Sequence, residues 1–297
     1  MNRRRGFALM AAMWLVVLLG VCAWQLSLSS RARRLAAANA LELIAARAAA
    51  DAGLETGRAV LTDTLFDGRI ADTLVMESER ATVSYYDPAS RLHLNRASVE
   101  DLRRFLAALP MDADGADRLA QRIADWRDAD DQARPRGAER ADYVRTGARR
   151  LPSNTAFGTL DELLSVDGMS PTLLARIAPF VTLVGVGQVN VNVAPPEVLR
   201  ALPAFGDEAI GAVMRLRQQH RAIHSINELT NQLSRSAADA IALATTELDQ
   251  RLTFETREYL VESTGWVDGS PVRARGELLL ARSGESALVQ SRRSRVE

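Results

Sequence analysis

The residues best suited to chemistry are the carboxylates of one polar stretch. Asp125-Trp126-Arg127-Asp128-Ala129-Asp130-Asp131 runs into Arg134 and Arg136, then Gly137-Ala138-Glu139-Arg140. Carboxylates two apart in a loop, with a glutamate close behind, are hard-oxygen donors of the kind that hold Ca2+. The spacing and the closing glutamate are not those of an EF-hand. A second reading stays open: Arg127, Arg134, Arg136 and Arg140 neutralise the acids in a solvated loop. No other constellation competes. His93, His220 and His224 are the only histidines, which argues against a histidine-rich metal site. No motif around them sets up a nucleophile with its base. The single cysteine, Cys22, excludes an intrachain disulfide. Lys+Arg and Asp+Glu both total 37. A zero net charge lacks the basic excess of a nucleic-acid-binding chain.

The elements that position this loop repeat. Leu92-His93-Leu94-Asn95-Arg96-Ala97-Ser98-Val99-Glu100-Asp101-Leu102-Arg103 aligns with Val189-Asn190-Val191-Asn192-Val193-Ala194-Pro195-Pro196-Glu197-Val198-Leu199-Arg200. Each copy reads as an alternating strand, an asparagine and a helix start. Ser98 with Asp101 three residues on resembles a capping box, and Pro195-Pro196 suit a first helical turn. Further helix follows at Ala116 to Trp126 and at Asp207 to Gln219, and Leu160-Asp161-Glu162-Leu163-Leu164 and Ile226-Asn227-Glu228-Leu229 close the copies. The pattern resembles helix-hairpin-helix modules, whose hairpin N–H groups meet phosphate. The candidate hairpins are Val166-Asp167-Gly168-Met169-Ser170 and Pro203-Ala204-Phe205-Gly206-Asp207. Each sets an aspartate beside its glycine, which repels phosphate.

Ahead of the repeat, β-formers fill Thr73 to Glu79 and Ala81 to Tyr86, then a turn at Asp87-Pro88-Ala89-Ser90 and a short strand at Arg91 to Asn95. Behind it, Leu252 to Thr256, Glu258 to Val267 and Val272 to Ala281 read as strands, with Asp268-Gly269-Ser270-Pro271 as a hairpin turn. The tail from Gly284 is polar and reads as frayed.

At the other end, Arg3-Arg4-Arg5-Gly6 precedes an uncharged, mostly apolar run from Phe7 to Leu28. As a helix this run spans about 30 Å, the thickness of a bilayer core. Arg31, Arg33 and Arg34 follow, and then an alanine-rich, proline-free stretch with Leu35, Ala38, Leu41, Ala45, Ala48 and Ala52 on one helical face. The spacing predicts one helix from Phe7 to about Leu61. A cleaved secretory signal fits poorly, because the core is long and no good small-residue cleavage site follows it. A plain signal anchor fits the hydropathy.

The Arg5-Gly6-Phe7 junction resembles the leader of type IV pilins and pseudopilins, which a prepilin peptidase cuts after the glycine. The usual glutamate at the fifth mature residue is absent, and Ala11 stands there. The absence of that glutamate, Leu94-Asn95 with Ala97-Ser98, the Asp125 to Asp130 run with Gly137-Ala138-Glu139 and Tyr143, and Asn190-Val191-Asn192 with Ala194 to Leu199 together resemble the minor pseudopilin K family of type II secretion.

The resemblance implies an α+β fold. A pilin-like stem helix packs on a small antiparallel sheet, with a large helical, helix-hairpin-helix-like insertion between strands. It divides the chain into a leader (1–6), a transmembrane half-stem (7–28), stem and first strands (29–95), the insertion with two related units (96–250), closing strands (251–283) and a polar tail (284–297). It implies cleavage between Gly6 and Phe7, N-methylation of Phe7, and calcium held by Asp128, Asp130 and Glu139. The implied partners are the minor pseudopilins I and J, the prepilin peptidase and the inner membrane, with the N terminus cytoplasmic and the C-terminal domain periplasmic. The implied role is non-enzymatic: starting and capping the pseudopilus. A missing glutamate suits a tip subunit, which has no neighbour above it whose N-terminal amine would pair that charge. A membrane-anchored DNA-binding protein built on the hairpins is the alternative, and no nucleic acid is expected under the main reading.

Overall fold

The computed structural model describes residues 3–62, 71–75, 79–283 and 286–296. The chain divides into two compact units. The first comprises residues 1–84, 262–277 and 292–297, and the second residues 85–261 and 278–291.

The first unit is led by α1 (Arg3–Thr62), a single helix about 90 Å long at the usual rise. Its early apolar side chains, Trp14, Leu15, Val16 and Leu19 among them, are exposed. Its later part changes character: Ala46, Ala49, Ala50 and Leu54 are buried. The switch from apolar all round to amphipathic is the one the alanine spacing predicts. Strand β1 (Ala71–Val75) pairs antiparallel with β2 (Glu79–Tyr86), Ala71 opposite Ser84. The sheet runs β1-β2-β7-β8-β9, with β7 at Glu258–Val267, β8 at Arg273–Ser283 and β9 at Ser286–Val296.

Helix and sheet approach closely because the contact residues are small. A Cβ built on Gly265 would stand 2.3 Å from both the Ala46 carbonyl oxygen and the Ala50 nitrogen. Only glycine lets the helix backbone lie there. Polar ties flank the contact. The Ser270 hydroxyl donates to Glu42 at 2.6 Å, and Arg292 reaches Asp51 at 2.6 Å and Glu55 at 3.3 Å.

The second unit holds the chain between β2 and β7. It contains α2 (Val99–Ala107), α3 (Ala113–Arg127), α4 (Arg140–Thr146), α5 (Pro171–Ile177), α6 (Pro196–Leu199), α7 (Asp207–Gln218), α8 (Ile226–Thr230), α9 (Arg235–Leu243) and α10 (Thr245–Arg251). Four short strands accompany them: β3 (Leu92–His93), β4 (Val181–Thr182), β5 (Val189–Asn190) and β6 (Leu252–Thr253). One core joins the helices, with Phe105, Leu106, Ile123, Leu163, Ile177, Leu199, Ile223, Leu229 and Ile241 fully buried.

The repeat is real in space. β3 pairs in parallel with β4, and β5 in parallel with β6. Each pair closes one copy, Leu92 to Thr182 and Val189 to Thr253. At Ser98 both bonds of the capping box form: its hydroxyl accepts from the Asp101 N–H, and Asp101 accepts from the Ser98 N–H.

Two boundaries differ from the sequence reading. The strands at Leu92 and Leu252 belong to the helical copies and not to the five-stranded sheet, so the insertion begins near Asp87 and ends near Arg257. The alternation at 91–95 and 252–256 is genuine, but its partner is local. The polar tail is not frayed through 286–296. It forms β9 at a sheet edge, where charged residues are the usual guard against further pairing. Gly284 and Glu297 lie outside the described residues.

Candidate metal centre

Helix α3 ends at Arg127 because Asp128 leaves the helical region, with φ −79° and ψ 170°. Asp125 and Asp128, three apart across this terminus, come onto one face. The chain then turns through 129–138 and returns at Glu139, the residue that precedes α4. Among the described residues, Asp125, Asp128 and Glu139 are thereby gathered, with one carboxylate oxygen from each within 4.8 Å of the others. Asp125 and Glu139 are buried, at 0 % and 3 % exposure, and Asp128 is half-buried.

The electrostatics are unbalanced. Arg134 donates through Nη1 to Asp125 Oδ1 and, at 2.5 Å, to Asp128 Oδ2, and its backbone N–H donates to Asp125 Oδ2 at 3.2 Å. Asp128 Oδ1 and both oxygens of Glu139 are buried and meet no side-chain donor, and only backbone N–H groups at the start of α4 face Glu139. Burial raises the Asp125 carboxyl above its ordinary value, against the pull of Arg134. Burial, then the charges of Asp125 and Asp128, push Glu139 up to about 7. A buried carboxylate facing two others is costly until a cation arrives. Two oxygens on opposite sides of one Ca2+ stand roughly 4.6–5.2 Å apart, so the group has the span one ion requires.

Gly137 walls the cluster. A Cβ there would fall 1.7 Å from Asp125 Oδ2. Trp126, next to Asp125 in the chain, meets Tyr143 edge-on with ring centroids 5.3 Å apart.

The predicted site residues divide as follows. Asp128 and Glu139 meet. Asp130 does not: it is exposed, and its Oδ1 accepts from the Gln132 N–H at 2.8 Å in a local turn. Asp125 takes the third place, and its i, i+3 relation to Asp128 at a helix end was the signal for it. Of the four arginines in the neutralising reading, Arg134 reaches the group. Arg136 instead pairs with Asp114 and, at 3.5 Å, with Asp117, and Arg127 donates to the Ala97 carbonyl. Gly6, Phe7 and Ala11 fall in the first turns of α1, and their side chains lie outside the described residues.

The candidate phosphate hairpins are closed. The Asp167 N–H donates to the Tyr143 hydroxyl at 3.0 Å, and Asp167 pairs with Arg122 at 3.0 Å. The Gly206 N–H donates to the Ala204 carbonyl at 3.0 Å, and Asp207 pairs with Arg200. The two hairpins also occupy different places in their copies, one before α5 and one before α7.

Residues 89–186 match the family described as Type II secretion system (T2SS), protein K. The type II secretion system protein K of Pseudomonas aeruginosa is 33% identical over 127 residues, which are 39% of this chain and 38% of that protein. The protein of the same name from Dickeya chrysanthemi is 31% identical over 121 residues, 39% of this chain and 33% of that protein. The chain thus covers only about a third of each of these relatives. A chain in the crystal structure of the GspK-GspI-GspJ complex from the enterotoxigenic Escherichia coli Type 2 Secretion System shares the fold. Its TM-score is 0.67, with 16% identity, over 89% of this chain and 99% of that chain. None of these likenesses favours the DNA-binding alternative.

Proposed function

We propose, from this chain's likeness to type II secretion system protein K, that it belongs to that family and is a minor pseudopilin at the tip of the secretion pseudopilus. The observation that carries this reading is the combination of one unbroken 60-residue α1 with a helical insertion set between β2 and β7 of a five-stranded sheet. The first half of α1 is long and apolar enough to cross a bilayer, which supports a single-pass anchor in the inner membrane. The arginines on both sides of that run do not choose the orientation. A cytoplasmic start and a periplasmic C-terminal domain follow from the family role.

The partners in this reading are the minor pseudopilins I and J and the prepilin peptidase. The peptidase cuts between Gly6 and Phe7, and Phe7 becomes the methylated N terminus. Ala11, where pilins carry glutamate, suits a subunit with no neighbour above it. The role is one of assembly and capping, without catalysis. Calcium is the proposed cofactor, held by Asp125, Asp128 and Glu139. When bound it supplies the positive charge that the three carboxylates lack, and it ties the end of α3 to the start of α4.

Mass spectrometry of the N terminus tests the reading. The expected mature chain starts at methylated Phe7, six residues shorter than the gene product. A chain that still starts at Met1 in cells with active peptidase overturns it. Ala11→Glu is expected to impair tip assembly and secretion, and wild-type secretion in that variant removes the tip argument.

A further inference from the structure

We propose that Arg134 is a built-in counter-cation of the carboxylate cluster, weakening its hold on calcium and keeping the loop folded when the ion is absent. This inference rests on the calcium reading above. Three carboxylates converge with one guanidinium among them; with all three ionised, as they are on a bound cation, this leaves two negative charges, the amount one divalent ion neutralises. The hydrogen bonds divide the six carboxylate oxygens in the same way. Arg134 engages both oxygens of Asp125 and Oδ2 of Asp128. Asp128 Oδ1 and both Glu139 oxygens, all buried, are left without a side-chain partner. Asp125 therefore serves first to hold Arg134, and these oxygens mark where an ion is drawn.

Arg134 is placed to do this by the chain itself. Its backbone N–H and its side chain grip the same carboxylate, and Gly137 follows with no room for a side chain beside Asp125. The side chain is 35 % exposed, so the guanidinium reaches the cluster from the solvent side. A positive charge within a few ångströms opposes an entering cation, and its removal strengthens binding. It also strips the ion-free cluster of the one cation that, among the described residues, pairs with Asp125 and Asp128.

The test uses the full-length chain in detergent, with CaCl2 alone as the probe, and compares wild type, Arg134→Gln and Arg134→Lys. Calorimetry should show Arg134→Gln binding calcium roughly tenfold or more tightly than wild type. Its unfolding midpoint should be lower than wild type without calcium and should rise further on adding it. Arg134→Lys keeps the charge and should bind as weakly as wild type. A glutamine variant that folds only with calcium is the extreme form of the expected result. Equal or weaker binding by Arg134→Gln, or a variant unfolded with and without calcium, overturns the role of Arg134 and leaves the calcium site standing if wild type binds. Binding by none of the three proteins overturns the site and this inference together.

Discussion

In the first helical copy, Asn95 holds Phe157 by both backbone groups, at 2.9 and 2.8 Å. In the second, Asn192 holds Ile223 in the same way, both bonds at 2.8 Å, and reaches the Phe254 carbonyl besides. The Leu94 N–H donates to Thr182 O in one copy, and the Val191 N–H to Thr253 O in the other. Thr182 then accepts from the Val184 N–H, and Thr253 from the Glu255 N–H. An arginine near the end of α3, Arg127, and one near the end of α7, Arg217, each donate to a backbone carbonyl of their own copy.

The copies differ in what joins the second helix to the clamped residue. In the second copy residues 219–222 suffice. In the first the chain runs from 128 to 156, and that addition carries Asp128, Arg134, Glu139 and α4. The frame is thus complete without the carboxylate cluster, since the second copy makes the same clamp with no such cluster among the described residues. The cluster is a graft on one copy, and its chemistry should be separable from the fold.

The largest expected effect tests whether the copies carry equal weight. Leu163, before α5, and Leu229, in α8, are both fully buried and fill matching places in the two copies. Leu163→Ala and Leu229→Ala should each cost about 2–5 kcal/mol, within about 1 kcal/mol of one another by urea unfolding. A large gap between them breaks the equivalence.

Next come the clamps. Asn95→Ala orphans two backbone groups, and Asn192→Ala orphans three. At the usual cost of an unsatisfied buried group, Asn95→Ala should lose roughly 2–3 kcal/mol and Asn192→Ala about 1 kcal/mol more. Equal costs would mean that the bond to Phe254 adds nothing.

Gly137→Ala touches the graft alone. The methyl must displace Asp125, for an expected cost of about 1–3 kcal/mol. The rise in unfolding midpoint on adding calcium should vanish. A variant that keeps its calcium response would show that Asp125 can move without loss.

The sequence carried much of this comparison. The asparagine after each short strand, the capping serine at 98 and the leucines before α5 and in α8 obey spacings that local rules read directly. Helix α1 was legible to within a few residues. The cluster was only half legible, because Asp125 and Asp128 become neighbours only once α3 ends at Arg127, and Glu139 joins them only through a turn with no regular period. Asp130 looked equivalent to Asp128 in the string, but it lies past the helix end and turns back on Gln132. β9 is not legible for another reason: an edge strand needs pairing on one side only, so its polar sequence shows no apolar alternation.

The smallest effect turns on one position where the frames themselves differ. His93 in the first copy stands where Asn190 stands in the second. Asn190 is buried and donates to Asp87 at 2.8 Å. His93 is buried with Nδ1 unpartnered. Burial, and then the charge of Arg96 with a smaller push from Arg127, lower its pKa from 6.5 to about 4. Between those two values the unfolded chain takes up a proton on this histidine and the folded chain does not. Stability is therefore full above 6.5 and falls as the pH drops towards 4. The contribution should be on the order of 1–2 kcal/mol by pH 5. His93→Asn gives the first copy the residue of the second, and should reduce the loss between pH 7.5 and pH 5 by that amount, whatever it costs at pH 7.5. An unchanged pH slope in urea unfolding would show that His93 finds a proton acceptor in the folded chain, and that the two frames answer acid alike.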